Sequence, residues 1–103
     1  MIVEYIRYAI DEPRQASFQS AYEQAADALD GSEHCVDYEL SRCVDDPGSF
    51  ILRIGWDSVE GHMQGFRQST AFREFFQAIR PYVHDISEMR HYVVTLSGGA
   101  THG

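Results

Sequence analysis

The chain contains no lysine and no asparagine. Schiff-base chemistry on a lysine amine is therefore excluded. Its fixed side-chain cations are eight arginines, set against 16 acidic residues, for a formal net charge of −8. An acidic surface repels phosphate backbones and anionic membranes, so neither nucleic acid nor a membrane is an expected partner. Cysteine is scarce. Cys35 and Cys43 fall eight residues apart in one expected strand, about 26 Å along it at the usual rise, too far to bridge. They read as small buried apolar side chains in a reducing compartment. No Cys-x-x-Cys or His-x-x-x-His spacing occurs, so no metal is expected. No apolar run reaches membrane-spanning length, and Met1-Ile2-Val3-Glu4 lacks the basic start of a secretion signal. The expected location is cytoplasmic.

What the sequence has is aromatic and apolar material: 44% hydrophobic residues, including six Tyr and six Phe in 103 positions. One domain of this length buries about 65% of its unfolded surface and needs no staple. Residues 2–10, β-branched and aromatic, predict a strand. Pro13 suits the first turn of a helix over 14–30, with Phe18, Tyr22, Ala25, Ala26 and Leu29 at helical spacing and Gly31 at its end. Residues 34–43 alternate, placing Val36, Tyr38 and Leu40 on one face. Pro47-Gly48 is a type II turn signal. Residues 49–56 form the second strand of a hairpin, with Phe50, Leu52, Ile54 and Trp56 on one face. Asp57 and Glu60 form a capping box for a helix to about Gln68, with Val59, Met63 and Phe66 inward. Ser69 or Thr70 starts a further helix bearing Phe72, Phe75, Phe76 and Ile79, and Pro81 stops it. Residues 87–96 predict a last strand, and 97–103 a flexible Gly-rich tail.

This order predicts one α+β domain over 1–96: a ferredoxin-like βαββαβ fold with a four-stranded antiparallel sheet and helices on one face. The other face carries Ile51 and Arg53 with either Val3 and Tyr5 or Ile2 and Ile6. An uncovered, partly apolar face needs a partner, and a two-fold homodimer is the expected one.

The stretch Phe50-Ile51-Leu52-Arg53-Ile54-Gly55-Trp56-Asp57-Ser58-Val59-Glu60-Gly61-His62 is the most informative. Phe66-Arg67-Gln68-Ser69 and Phe72-Arg73-Glu74-Phe75-Phe76 follow it. A strand ends in Trp and passes directly into a capped helix with a His six residues on. Over residues 2–96 this resembles the antibiotic biosynthesis monooxygenase family of dimeric α/β barrels. The resemblance implies a dimer with a pocket between sheet and helices. It also implies kinship with quinol and anthrone oxygenases that use no metal and no flavin, and with haem-degrading proteins. The haem-degrading branch uses an Asn on the first strand and a ligating His farther from the Trp. With no Asn present, haem degradation is disfavoured.

Two functions follow as expectations. The first is a cofactor-independent monooxygenase acting with dioxygen on a small electron-rich aromatic, a hydroquinone or anthrone. His62, beside Val59 and Phe66, takes a phenolic proton. Trp56 walls the pocket, and Arg53 or Arg7 holds an anionic oxygen. Tyr5, Leu52, Ile54, Met63, Phe66 and Phe76 line it. The second is a dimeric binding module for an apolar ligand, haem included, that needs the pocket and no base. A non-oxidative isomerase or decarboxylase on the same fold is a third. Each residue also has a plain structural reading. Trp56, the tyrosines and the Met and Phe side chains suit a core, His62 a hydrogen bond to backbone, and the arginines an acid such as Glu4 or Glu39. His34 and His91 lie on strands and rank below His62.

Overall fold

The computed structural model describes residues 1–99. Four strands, β1 (Ile2–Ala9), β2 (Cys35–Arg42), β3 (Ser49–Trp56) and β4 (Ile86–Val93), form one antiparallel sheet in the order β2-β3-β1-β4. Helices α1 (Gln15–Asp30) and α2 (Thr70–Ile79) supply the crossovers. The ferredoxin-like α+β fold is thus the observed one. Of the expected tail, Ser97–Gly99 has no regular structure, and 100–103 lies outside the described residues.

The core lies between the sheet and the helices. Ile6 and Tyr8 of β1, and Phe50, Leu52, Ile54 and Trp56 of β3, pack against Phe18, Tyr22, Ala25, Ala28 and Leu29 of α1 and Phe75 and Ile79 of α2. Alternation along a strand sends every second side chain to one face, so β1 turns Ile2, Glu4, Ile6 and Tyr8 inward. Val3, Tyr5 and Arg7 take the open face. Ala28, rather than Ala26, completes the inner stripe of α1.

Several local expectations change. A bulge between Cys35 and Asp37 makes Val36 an extra residue opposite the β3 ladder. The strand parity shifts there, and Val36 is exposed while Cys35 packs against the core. Cys43 lies beyond β2 and is exposed rather than buried. The 46–49 turn closes with Ser49 N–H donating to Asp46 O at 2.9 Å, yet Gly48 has no positive φ, so the turn is not type II. Gly48 answers a close approach instead: a Cβ there would stand 2.7 Å from the Ile10 carbonyl oxygen, whose own N–H donates to Gly48 O at 2.8 Å.

The segment after β3 departs most from expectation. Ser58, not Asp57, caps it, with the Gly61 N–H donating to Ser58 Oγ at 2.9 Å. Asp57 turns aside to the ring of His34, Nδ1 to Oδ2 3.0 Å. Residues Gly61–Phe66 then form a π-helix, marked by Arg67 N–H donating to His62 O at 3.0 Å. Its wider turn rotates the inner face away from an α-helical stripe. Gly61, His62 and Phe66 are buried, whereas Val59 and Met63 are exposed. Ser69 caps α2, accepting from the Phe72 N–H at 3.2 Å.

Gly61 and Gly65 leave the space that the His34 ring fills. A Cβ on Gly65 would overlap that ring, and one on Gly61 would overlap Asp57 Oδ1. Gly65→Ala should therefore destabilise the protein by about 1–3 kcal/mol, despite alanine's better helix propensity. In a His34→Ala background the same change should cost nothing or stabilise. A double-mutant cycle in urea checks this, and additive costs would sink it. Gly48→Ala meets backbone rather than a side chain and should cost about 1–3 kcal/mol in either background.

Candidate functional site

Between β1, β3, β4 and α2 lies a cavity of about 180 Å³. Its walls are almost wholly apolar: Ile6, Ile54, Trp56, Phe66, Phe72, Phe75, Phe76, Ile79, Val83, Ile86 and Met89 line it, with Tyr8. Glu4 and His62 face it at one end, and the exposed Arg67 lies at its edge.

The polar end is assembled by sheet register. Ile2 pairs with Trp56 across β1 and β3, and Glu4 pairs with His91 across β1 and β4. Glu4, Trp56 and His91 therefore share the helix-facing side as direct or diagonal neighbours. The π-helical segment brings His62 over them. The Trp56 Nε1–H donates to Glu4 Oε1 at 3.1 Å. His62 Nε2 lies 3.4 Å from the same oxygen, and His91 Nε2 lies 3.6 Å from Glu4 Oε2. One hydrogen bond joins His91 Nε2 and His62 Nδ1 at 2.8 Å. The His62 ring stacks on the Trp56 indole, centroids 4.5 Å apart and planes 17° apart.

Glu4 is 3% exposed and His62 is 3% exposed. Burial penalises charge on both. It raises the Glu4 carboxyl above its ordinary range, against the opposing hydrogen bond from Trp56 and the nearby His91 and Arg67. It lowers His62 to about 4, helped by His91 and Arg67. At neutral pH His62 is thus a neutral imidazole, beside a Glu4 carboxyl of heightened proton affinity. On the cavity wall, Tyr8 is pushed up to about 12 by burial despite its hydrogen bond with Tyr22.

Of the residues expected to form the site, His62, Trp56, Ile54, Phe66 and Phe76 meet at this cavity. Four do not. Arg53 and Tyr5 oppose each other on the open face of the sheet, because each is out of step with its inward neighbours Ile54 and Glu4. Arg53 donates to Asp37 Oδ1 at 3.1 Å, and Tyr5 packs edge-on against Tyr92 with centroids 5.5 Å apart. Leu52 faces inward but packs in the core against α1, away from the cavity. Met63 is turned to solvent by the π-helix. Arg7 likewise leaves the cavity and pairs with Glu88 at 3.1 Å.

Glu4 is the residue that sequence reasoning undervalued, as a partner for an arginine rather than a site group. Its parity with Ile2, Ile6 and Tyr8 carried the signal. His91 needed the β1–β4 register. Together Glu4, His62 and His91 offer one metal-ligand atom each, all within 4.8 Å of one another. No sequence spacing shows a donor set drawn from three separate elements, which is why a metal site was not expected.

The family model for antibiotic biosynthesis monooxygenases matches residues 1–78. The uncharacterized protein YczJ of Bacillus subtilis is 25% identical over 92 residues, covering 89% of this chain and 97% of that protein. A crystal structure from Bordetella bronchiseptica, classed with the antibiotic biosynthesis monooxygenases, is 26% identical with a TM-score of 0.76, covering 92% of this chain and 97% of that one. SnoaB of Streptomyces nogalater, a cofactor-independent oxygenase, shares the fold at 15% identity with a TM-score of 0.76, covering 93% of this chain and 94% of the other. Among the described residues, no helix is long and apolar enough to cross a membrane. The family match covers β1 to β3, α1 and all but the last residue of α2, with the cavity residues from Glu4 to Phe76, and the chain belongs to the antibiotic biosynthesis monooxygenase family.

Proposed function

We propose that the chain is a cofactor-independent monooxygenase of a small electron-rich aromatic, a single-ring hydroquinone. The observation that carries this reading is an aromatic-walled cavity with the buried Glu4 carboxyl and His62 imidazole together at one end. An apolar enclosure favours a flat aromatic ring. One buried carboxylate beside a neutral imidazole can take a hydroxyl proton there. The fold shared with SnoaB, a cofactor-independent oxygenase, agrees with this chemistry.

The cavity size narrows the substrate. A space of about 180 Å³ is close to the roughly 150 Å³ that accommodates benzene in a protein core. It suits one ring, and because the cavity opens to solvent a larger ring system would have to protrude from it.

In the proposed reaction Glu4 accepts the hydroxyl proton, and His62, stacked on Trp56, keeps the carboxylate oriented. The resulting phenolate passes an electron to dioxygen, and the two radicals combine at a ring carbon. The hydroperoxide regains a proton and loses water. One oxygen atom enters the ring and the other leaves as water, the ring supplying all four electrons as it becomes a hydroxyquinone. Exclusion of bulk water by the phenylalanine wall favours the uncharged acceptor dioxygen and limits leakage of the intermediate.

Two copies of the chain are inferred to meet through the open face, where Tyr5, Ile51 and Tyr92 lie among the Arg7–Glu88 and Arg53–Asp37 pairs. Light scattering on the purified protein should give twice the chain mass; a monomer at micromolar concentration would remove this part of the reading.

The activity test is dioxygen uptake by EDTA-treated protein with a panel of substituted hydroquinones, an anthrone serving as the oversized comparison. Saturable uptake with a single-ring substrate is expected. Glu4→Gln keeps an acceptor for the Trp56 N–H and should lower the rate by about 100-fold or more. Unchanged uptake in that variant would remove Glu4 from the chemistry. Saturable hydroquinone binding with no uptake would instead identify a carrier.

A further inference from the structure

Glu4 of β1 and His62 of the π-helical segment border the cavity, and His91 of the edge strand β4 joins them, bringing one carboxylate and two imidazoles together. The geometry points to a binding site for one divalent transition-metal ion, held by Glu4 Oε2, His62 Nδ1 and His91 Nε2. This goes beyond the oxygenase reading, which describes the ion-free protein. An ion on the Glu4 carboxylate would occupy the lone pair that takes the substrate proton.

The spacing approaches that of a ligand set. Donors bound about 2.1 Å from a common ion lie roughly 3.0–3.4 Å from one another at octahedral or tetrahedral angles. His62 Nδ1 and His91 Nε2 are 2.8 Å apart, and His91 Nε2 and Glu4 Oε2 are 3.6 Å apart. These two values bracket that range, and all three donors lie within 4.8 Å of one another, so the side chains admit an ion by closing on it once the imidazole–imidazole hydrogen bond opens.

The remaining atoms of Glu4 and His62 already have partners, as outer groups usually supply them to ligands. Glu4 Oε1 accepts from the Trp56 indole at 3.1 Å, which leaves Oε2 free. His62 Nε2 faces that same Oε1 at 3.4 Å, a contact suited to a donated Nε2–H that leaves the Nδ1 lone pair directed at His91. Stacking on Trp56 fixes the plane of the His62 ring.

Donor chemistry selects the class of ion. Two nitrogens and one oxygen suit zinc, cobalt, iron(II) or copper, whereas calcium and magnesium call for oxygen ligands. Charge favours occupancy as well. The buried Glu4 carboxylate has no arginine ion pair among the described residues, and a dication would compensate it. Glu4 and His62 border the cavity, so the ion's remaining positions would open toward it.

Protein stripped with EDTA and dialysed is titrated calorimetrically with zinc chloride, and with cobalt chloride by visible absorbance. One ion per chain, a raised Tm with zinc and cobalt bands of nitrogen-bound ion are the expected results. His91→Ala removes a ligand at the exposed edge of the sheet, where folding is least at risk, and should weaken zinc binding by about 10-fold or more. Glu4→Gln should do the same, with circular dichroism confirming that both variants fold. His84→Ala and the pair Asp45→Asn with Asp46→Asn, remote surface groups, should bind as the parent does. Absence of saturable binding, or binding that survives both His91→Ala and Glu4→Gln, overturns the site. Dioxygen uptake in EDTA is a separate readout. Uptake without zinc binding removes this proposal alone, and zinc binding without uptake removes the oxygenase reading alone.

Discussion

The hydrogen bond from the Trp56 indole to the Glu4 carboxylate ties the sheet to the site. Trp56 is fully buried, and its N–H needs an acceptor inside the core. Glu4 is equally buried, and an ionised carboxylate there is costly without donors. Each solves the other's problem, and only one strand register lets them meet. Ile2 lies opposite Trp56 and Ile54 opposite Glu4, so the two polar groups are diagonal neighbours on the inner face. A slip by one residue would turn Glu4 to the open face and leave the indole unsatisfied. The same contact that orients the carboxylate toward the cavity therefore also specifies the pairing of β1 with β3.

From that contact the character of the cavity follows. Aromatic side chains from α2 and the π-helical segment close around the polar pair, with Phe66 perpendicular to Phe72 and near-perpendicular to Phe75. Edge-to-face packing of this kind holds rings rigidly while leaving a flat space between them. Water excluded by those rings cannot solvate Glu4. The carboxylate is then more basic than one at the surface, and the imidazole beside it stays neutral. Shape and proton affinity are two results of one packing arrangement. A substitution that opened the aromatic wall would weaken both together.

The arrangement of strands and helices was legible because long periodic segments report it directly. The inner faces of β3, α1 and α2 could be read from Phe50, Leu52, Ile54 and Trp56, from Phe18, Tyr22 and Leu29, and from Phe75 and Ile79. Arg53 obeys the same periodicity. Three residues before Trp56, it must lie on the other face of the same strand. The site was less legible because its members meet through pairing across 87 positions, from Glu4 to His91, and such a register has no local signal. Val36 and Met63 failed for another reason. A bulge and a π-helix each insert extra backbone, and side-chain period alone does not reveal an insertion.

The π-helix also explains why His62, rather than a neighbour, reaches the cavity. Under an α-helical period, Val59, Met63 and Phe66 would make the inner stripe and His62 would only border it. The observed turn is wider, and the cause sits on its outer side. The His34 ring, held by Asp57, lies against Gly61 and Gly65, two positions that have no side chain to displace it. Space given up on the outer surface is taken by that ring, and the segment passes over it with His62 directed inward onto Trp56. A histidine at the protein surface thus helps to set the position of a histidine in its interior, through two glycines and without touching the cavity. The link is steric and runs in both directions: crowding of the ring by a methyl group should be felt at the His62–Trp56 stack as well as in overall stability.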